Sequence, residues 1–340
     1  MKIAVVGLGA VGGFIAARLA LASAAGAAHT ISALARGTTL HALRERGLTL
    51  RTAGQQRCVK LLATDDAHAL GVQDLVVVAV KAPALAGAAA TLAPLIGVET
   101  VVLPAMNGVP WWFLQTPSTT RQLRVDERRL ASIDPQRRIE AALPLAQVLG
   151  CVVHFACSSP QPGVVQHGFG ERLIIGEPAG AASPRVEAVA KVLREAGFTV
   201  EASTDIRRDI WFKLWGNMTM NPVSALTGAT CDRILDDPLV RDFALQAMAE
   251  AAAIGARIGC PIAQSGEERM AVTRQLGAFK TSMLQDAEAG RTLEIDALVT
   301  AVHEIGQRVG AATPAIGALL GLVRLMARTH GLYGESAEPG

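Results

Sequence analysis

The chain has 340 residues, half of them apolar, and a formal charge of +2 at neutral pH. That length accommodates two domains with separate cores, and a near-neutral balance without a basic patch interleaved with aromatics argues against a nucleic-acid partner. No apolar run reaches the roughly 18 to 20 residues of a membrane-spanning helix, and the five cysteines (Cys58, Cys151, Cys157, Cys231, Cys260) lack CxxC or histidine-linked spacing, so the reading is a cytoplasmic, reduced and metal-free protein.

Lys2–Val6 is a short β-rich run, followed by GLGAVGG and the apolar FIAARLALAS. Lys2 before an apolar run superficially resembles a leader, but the glycines make it strand, turn and helix. Gly7, Gly9 and Gly12 give G-x-G-x-x-G, with Leu8, Ala10 and Val11 between them. The first glycine permits the tight turn, the second lets backbone approach a pyrophosphate, and the third lets helix pack on strand. The helix N-terminus then offers its N–H groups to phosphate. The pattern predicts a dinucleotide-binding turn.

The next strand is read over 31–36 and ends at Arg36, followed by Gly37, Thr38 and Thr39, with no acid. An NAD site places Asp or Glu there for the ribose hydroxyls; a cation and hydroxyls suit a 2′-phosphate, so NADP is expected. The plainer alternative is an arginine simply exposed at a strand end. LTLRT and CVKLLAT read as a paired excursion. DLVVVAVKAPAL (74–85) leads to Lys81, and TVVLPAMNGVPWW (100–112) leads to Asn107 and Gly108. Ligands in doubly wound sheets bind at strand carboxyl ends, which places both residues on the rim of the glycine turn. Residues 114–147 form a polar, charged insertion without assigned chemistry. The runs VLGCVVHFACSS and GVVQHGFGERLIIGEP are strands joined at Pro160–Gly163, SPRVEAVAKVLREAGF is a capped helix, and a last strand brings the domain boundary to 204/205. The expected architecture is therefore α/β: an N-terminal Rossmann-like doubly wound sheet over 1–204 and an all-helical domain over 205–340.

The second domain opens on DIRRDIWFKLWGNMTMN (205–221). Ile210, Trp211, Leu214, Trp215 and Met218 follow helical steps, while Lys213, Asn217 and Asn221 stack along one stripe beside them. Pro222 should end or kink this helix. The stripe is open to two readings, a snorkelling lysine with structural asparagines or a catalytic face. Glu294, between Leu293 and Ile295, either starts a helix, or accepts a hydrogen bond from a substrate hydroxyl or pairs with Lys213. For a hydride reaching a carbonyl carbon, a cation that also donates a proton lowers the barrier, a role Lys213 suits.

Taken together, GLGAVG, VKA at 80–82, NG at 107–108, K-x3-N-x3-N-P at 213–222 and SMLQD-x7-E-x-D from Ser282 to Asp296 resemble the ketopantoate reductase (2-dehydropantoate 2-reductase) family, end to end and in order. The resemblance implies NADPH-dependent reduction of a 2-keto acid, ketopantoate to pantoate on the way to pantothenate and coenzyme A. It also implies Lys213 as general acid, Glu294 on the substrate hydroxyl, and Asn107, Asn217, Asn221 and Ser282 on substrate polar groups. Asn107 and Lys81 would lie by the nicotinamide and Arg36 by the 2′-phosphate. A further family asparagine after the NP turn has no counterpart in ALTGATCDR (225–233). Two rivals stay open: a reductase or dehydrogenase of another branched or aromatic acid on this scaffold, and a non-catalytic NADP-binding sensor. Partners are a small-molecule keto acid, no nucleic acid, no membrane, and a second copy paired through the helical domain.

Overall fold

The computed structural model describes residues 1–116, 123–124 and 126–334; part of the insertion expected over 114–147 lies outside them. The chain divides into two compact units, Met1–Met106 with Arg137–Asp209, and Asn107–Gln136 with Ile210–Gly340. Residues 107–136, placed in the N-terminal domain by the sequence reading, thus group with the second unit.

Unit 1 runs β1 (Lys2–Val6), α1 (Ala10–Ala24), β2 (Thr30–Leu34), α2 (Gly37–Arg46), β3 (Leu48–Thr52), β4 (Gln55–Val59), β5 (Leu62–Thr64), β6 (Leu75–Val78), α3 (Ala82–Ala89), β7 (Val101–Pro104), α4 (Arg138–Ala142), β8 (Gly150–Gln161), β9 (Val164–Gly176), α5 (Pro184–Glu195) and β10 (Thr199–Ser203). Its first sheet is parallel, in the order β5-β2-β1-β6-β7. Leu75–Val78 are fully buried, which explains their unbroken apolar run: a parallel strand covered on both faces has no polar side to show. The winding reverses at β1, flanked by β2 and β6, so the glycine turn leaves the sheet at its switch point.

A second sheet, β10-β9-β3-β4 with β8 on β9, accounts for the remaining strands. Strand periodicity marks that these runs are strands but carries no label for the sheet they join, and one doubly wound sheet was expected. The paired excursion needs correction in one part. β3 and β4 pair antiparallel, with Leu48 opposite Val59, but Leu62–Thr64 leaves them and joins β2 in the first sheet. Helix α1 packs against strands of both sheets, where Phe14 meets Phe155 and Phe198 edge-on at 4.9 and 5.5 Å between ring centroids. Gly13 permits that approach, because a Cβ there would stand 2.5 Å from Val165 Cγ2.

Unit 2 follows with α6 (Ile206–Thr227), which begins at the end of unit 1, then α7 (Cys231–Asp236), α8 (Pro238–Arg257), α9 (Gly266–Arg274), α10 (Ser282–Glu288), a π turn over Asp296–Thr300, α11 (Ala301–Arg308) and α12 (Pro314–Thr329). The apolar face of α6 is buried as its spacing predicts, and both tryptophans use their indole N–H groups on α8. Trp211 Nε1 donates to the Ala251 carbonyl at 3.3 Å and Trp215 Nε1 to Met248 at 2.8 Å. Pro222 does not end α6, which continues five residues further to Thr227. The proline removes a single N–H, while Met218, Met220 and Val223 around it are all buried; packing on that scale holds the helix through one missing bond. Among the described residues no helix is long and apolar enough to cross a membrane.

Candidate active site

In unit 1 the loop from β1 to α1 has the strained geometry that glycine alone accepts. Gly7 has φ +85°, and a Cβ on it would stand 2.8 Å from Val80 Cγ1. A Cβ on Gly12 would stand 2.0 Å from the Gly7 carbonyl oxygen, whereas one on Gly9 would meet nothing within 4 Å. The first and third glycines are therefore demanded by packing, while the second faces open space. That space belongs to a cavity of about 430 Å³ lined by Gly7, Leu8 and Gly9, by Arg36 just past β2 and Thr39 in the first turn of α2, and by Thr91 and neighbours after α3. A dinucleotide fits this cradle: unhindered glycine backbone and the start of α1 for a pyrophosphate, and a guanidinium at the far wall. Arg36 is exposed and donates from Nη2 to Thr91 Oγ1 at 3.2 Å. Ala10, Val11 and Gly12 form the first turn of α1. Lys81 is the N-cap residue of α3, three residues past β6.

In unit 2 the structure brings Lys213 and Asn107 together, although they are 106 residues apart: Lys213 Nζ donates to Asn107 Oδ1 at 2.7 Å. Both are half-buried. The reason Asn107 stays there lies in the π turn. The Ala301 N–H bonds to the Asp296 carbonyl five residues back, skipping the Ala297 carbonyl that an α-helix would use. The freed Ala297 oxygen accepts the Val109 N–H at 2.8 Å. Gly108 lies against the same residue with φ +88°, where a Cβ would come within 2.5 Å of the Ala297 oxygen. The Asn-Gly loop is thus latched to the π turn by one hydrogen bond and one close contact. Asp296, which opens the turn, accepts hydrogen bonds from Thr300 at 2.8 Å and the Tyr333 hydroxyl at 2.6 Å.

Glu294 is half-buried, two residues before the π turn, between the fully buried Leu293 and Ile295, and its carbonyl accepts the Leu298 N–H. It occupies the start of a helix, as its simpler reading had it, with its carboxylate on the segment that latches the Asn-Gly loop. Asn217 is half-buried and Asn221 is 6% exposed, both on α6 along the stripe begun by Lys213. Ser282 is exposed at the first position of α10, where the cap is Thr281 rather than Ser282: Thr281 Oγ1 accepts the Leu284 N–H. Burial pushes the Cys157 thiol up to about 12 and the Cys231 thiol up to about 11, so neither offers a thiolate nucleophile at neutral pH.

Sequence reasoning missed the latch. Gly108 was visible as a glycine after Asn107, yet nothing local signals a π turn nearly 190 residues later. Thr91, the partner of Arg36, also carries no motif.

Two family models cover most of the chain: Ketopantoate reductase PanE/ApbA over residues 3–111 and Ketopantoate reductase PanE/ApbA C terminal over 205–327. A 2-dehydropantoate 2-reductase of Mesorhizobium japonicum is 41% identical over 333 residues, covering 98% of this chain and all of the relative. Among solved structures, a protein from Ralstonia solanacearum MolK2, whose assignment as a ketopantoate reductase is itself provisional, is 60% identical with a TM-score of 0.91, covering 97% of this chain and 99% of that one. A PanE/ApbA family ketopantoate reductase from Ralstonia eutropha JMP134 is 26% identical with a TM-score of 0.81, covering 97% of this chain and 100% of that one. The glycine cradle and the lysine–asparagine pair therefore sit in a chain that belongs to the ketopantoate reductase family.

Proposed function

We propose that this protein reduces ketopantoate to pantoate with NADPH, its N-terminal residues 1–204 holding the cofactor and 205–340 supplying the catalytic groups. The observation that carries the reading is the Lys213–Asn107 bond, which aims an ammonium group from a packed helix at the asparagine of a latched loop. When bound in this cradle, NADPH would supply the hydride for reduction of the carbonyl carbon. Lys213 Nζ faces the charge that develops on the carbonyl oxygen and delivers a proton to it. Asn107 fixes the lysine so that little reorganisation is needed at that moment. Asn217, Asn221 and Ser282 hold the substrate's polar groups. Glu294 accepts a hydrogen bond from the substrate hydroxyl, which orients the substrate against Lys213. Desolvation of α6 by its buried tryptophans strengthens these contacts.

Arg36, with Thr39 and Thr91 on the same cavity wall, binds the 2′-phosphate that distinguishes NADPH from NADH. Arg36→Ala should raise the dissociation constant for NADPH about 10- to 100-fold, the value of a charged hydrogen-bonded contact, and leave NADH nearly unchanged, as read by fluorescence titration. Equal losses for both cofactors would refute the phosphate contact. A panel of branched and aromatic 2-keto acids, each with NADPH and with NADH, tests the substrate: ketopantoate with NADPH should show the highest kcat/KM, and another acid leading the panel would move the activity to that acid.

A further inference from the structure

Arg269 on α9 is a half-buried cation that has no anion beside it among the described residues. Its guanidinium carbon stands 5.3 Å from the centroid of the Phe212 ring, and the group lies against the backbone of Gly216: a Cβ there would come within 3.0 Å of Nε and 3.2 Å of Nη2. Nε is sealed from solvent with no acceptor, and among the described residues Arg269 pairs with no carboxylate. Burial alone lowers its pKa from the usual arginine value, with no acid counteracting it. Buried charges are ordinarily paired or hydrogen-bonded, since desolvation otherwise opposes them.

The position on α6 gives this cation its meaning. Gly216 is three residues after Lys213 and immediately before Asn217, and residues three apart on a helix are surface neighbours, about 5 to 6 Å between Cβ atoms. Arg269 therefore flanks the polar stripe, and the missing side chain at Gly216 makes the room for it. A 2-keto acid carries a carboxylate next to the carbonyl that Lys213 would protonate. Two cations on one flank match that pair of groups, and a guanidinium fork matches a carboxylate in shape as well as charge.

We propose that Arg269 is the carboxylate anchor of the substrate and determines specificity for free acids. The inference rests on the keto-acid reductase reading for the identity of its ligand. The test measures binding of pantoate and of its neutral amide, by calorimetry, to the protein loaded with oxidised cofactor, for wild type, Arg269→Met and Arg269→Lys. The expected result is that Met weakens the acid about 10- to 100-fold and the amide hardly at all, with Lys in between, while the unfolding temperature of Arg269→Met does not fall, because an apolar side chain replaces a half-buried cation that has no acid partner among the described residues. Equal weakening of acid and amide, no weakening of either, or no binding of the acid by wild type would overturn it. A wild type that reduces no 2-keto acid yet binds the acid through Arg269 would sink the reductase reading and leave the anchor standing. Turnover with an acid-to-amide preference unchanged by Arg269→Met would do the reverse.

Discussion

Replacing Lys213 by alanine should lower kcat for ketopantoate reduction by about 100- to 10,000-fold, the range expected when a positioned general acid is removed, while the dissociation constant for NADPH stays near that of wild type. The two readouts separate because the cofactor cradle is built from unit 1 residues and Lys213 belongs to α6 in unit 2. The size of the loss follows from the two duties proposed for Lys213, stabilising developing negative charge and delivering the proton, which would fall on one group held at 2.7 Å from Asn107. The fold should survive, since the neighbouring packing residues Trp211, Leu214 and Trp215 are untouched. Steady-state kinetics together with a fluorescence titration of NADPH checks this; a mutant with wild-type kcat would remove Lys213 from the chemistry.

Gly108→Ala should be the next most damaging change. At φ +88° an alanine is strained by roughly 1 kcal/mol, and its Cβ would stand 2.5 to 2.7 Å from the carbonyl oxygen, Cβ and carbonyl carbon of Ala297. Overpacking of that kind typically adds about 1 to 3 kcal/mol. The loop can relieve it only by moving off the π turn, which breaks the Val109–Ala297 hydrogen bond and carries Asn107 away from Lys213. The expected result is a lower unfolding temperature together with a fall in kcat/KM of about 100-fold, the penalty for a misplacement near 1 Å. An unfolding temperature and a kcat/KM both like wild type would show that the latch does not position the site.

How much of this was legible in the sequence follows from the range of each interaction. The glycine turn, the buried strands and the amphipathic face of α6 are local patterns, and each appears where its spacing placed it. Pro222 does not end α6, because the local rule, the missing N–H, is outweighed by the packing of Met218, Met220 and Val223 around it. The second sheet was missed because β3 and β9 pair across more than a hundred residues, and the side-chain period that marks a strand says nothing of its partner. The site divided the same way. Lys213, Asn217 and Asn221 share a helix stripe and could be grouped from spacing alone. The latch between Gly108 and Ala297, and the seat of Arg269 over Gly216, are tertiary contacts between segments with no common motif, so only the fold shows them.

Substrate-dependent consumption of NADPH by the wild-type protein tests the central claim most directly. With ketopantoate, the absorbance of the reduced cofactor should fall and pantoate should accumulate, one molecule for each NADPH oxidised. A folded protein that binds NADPH but shows no ketopantoate-dependent loss of it would contradict the assignment.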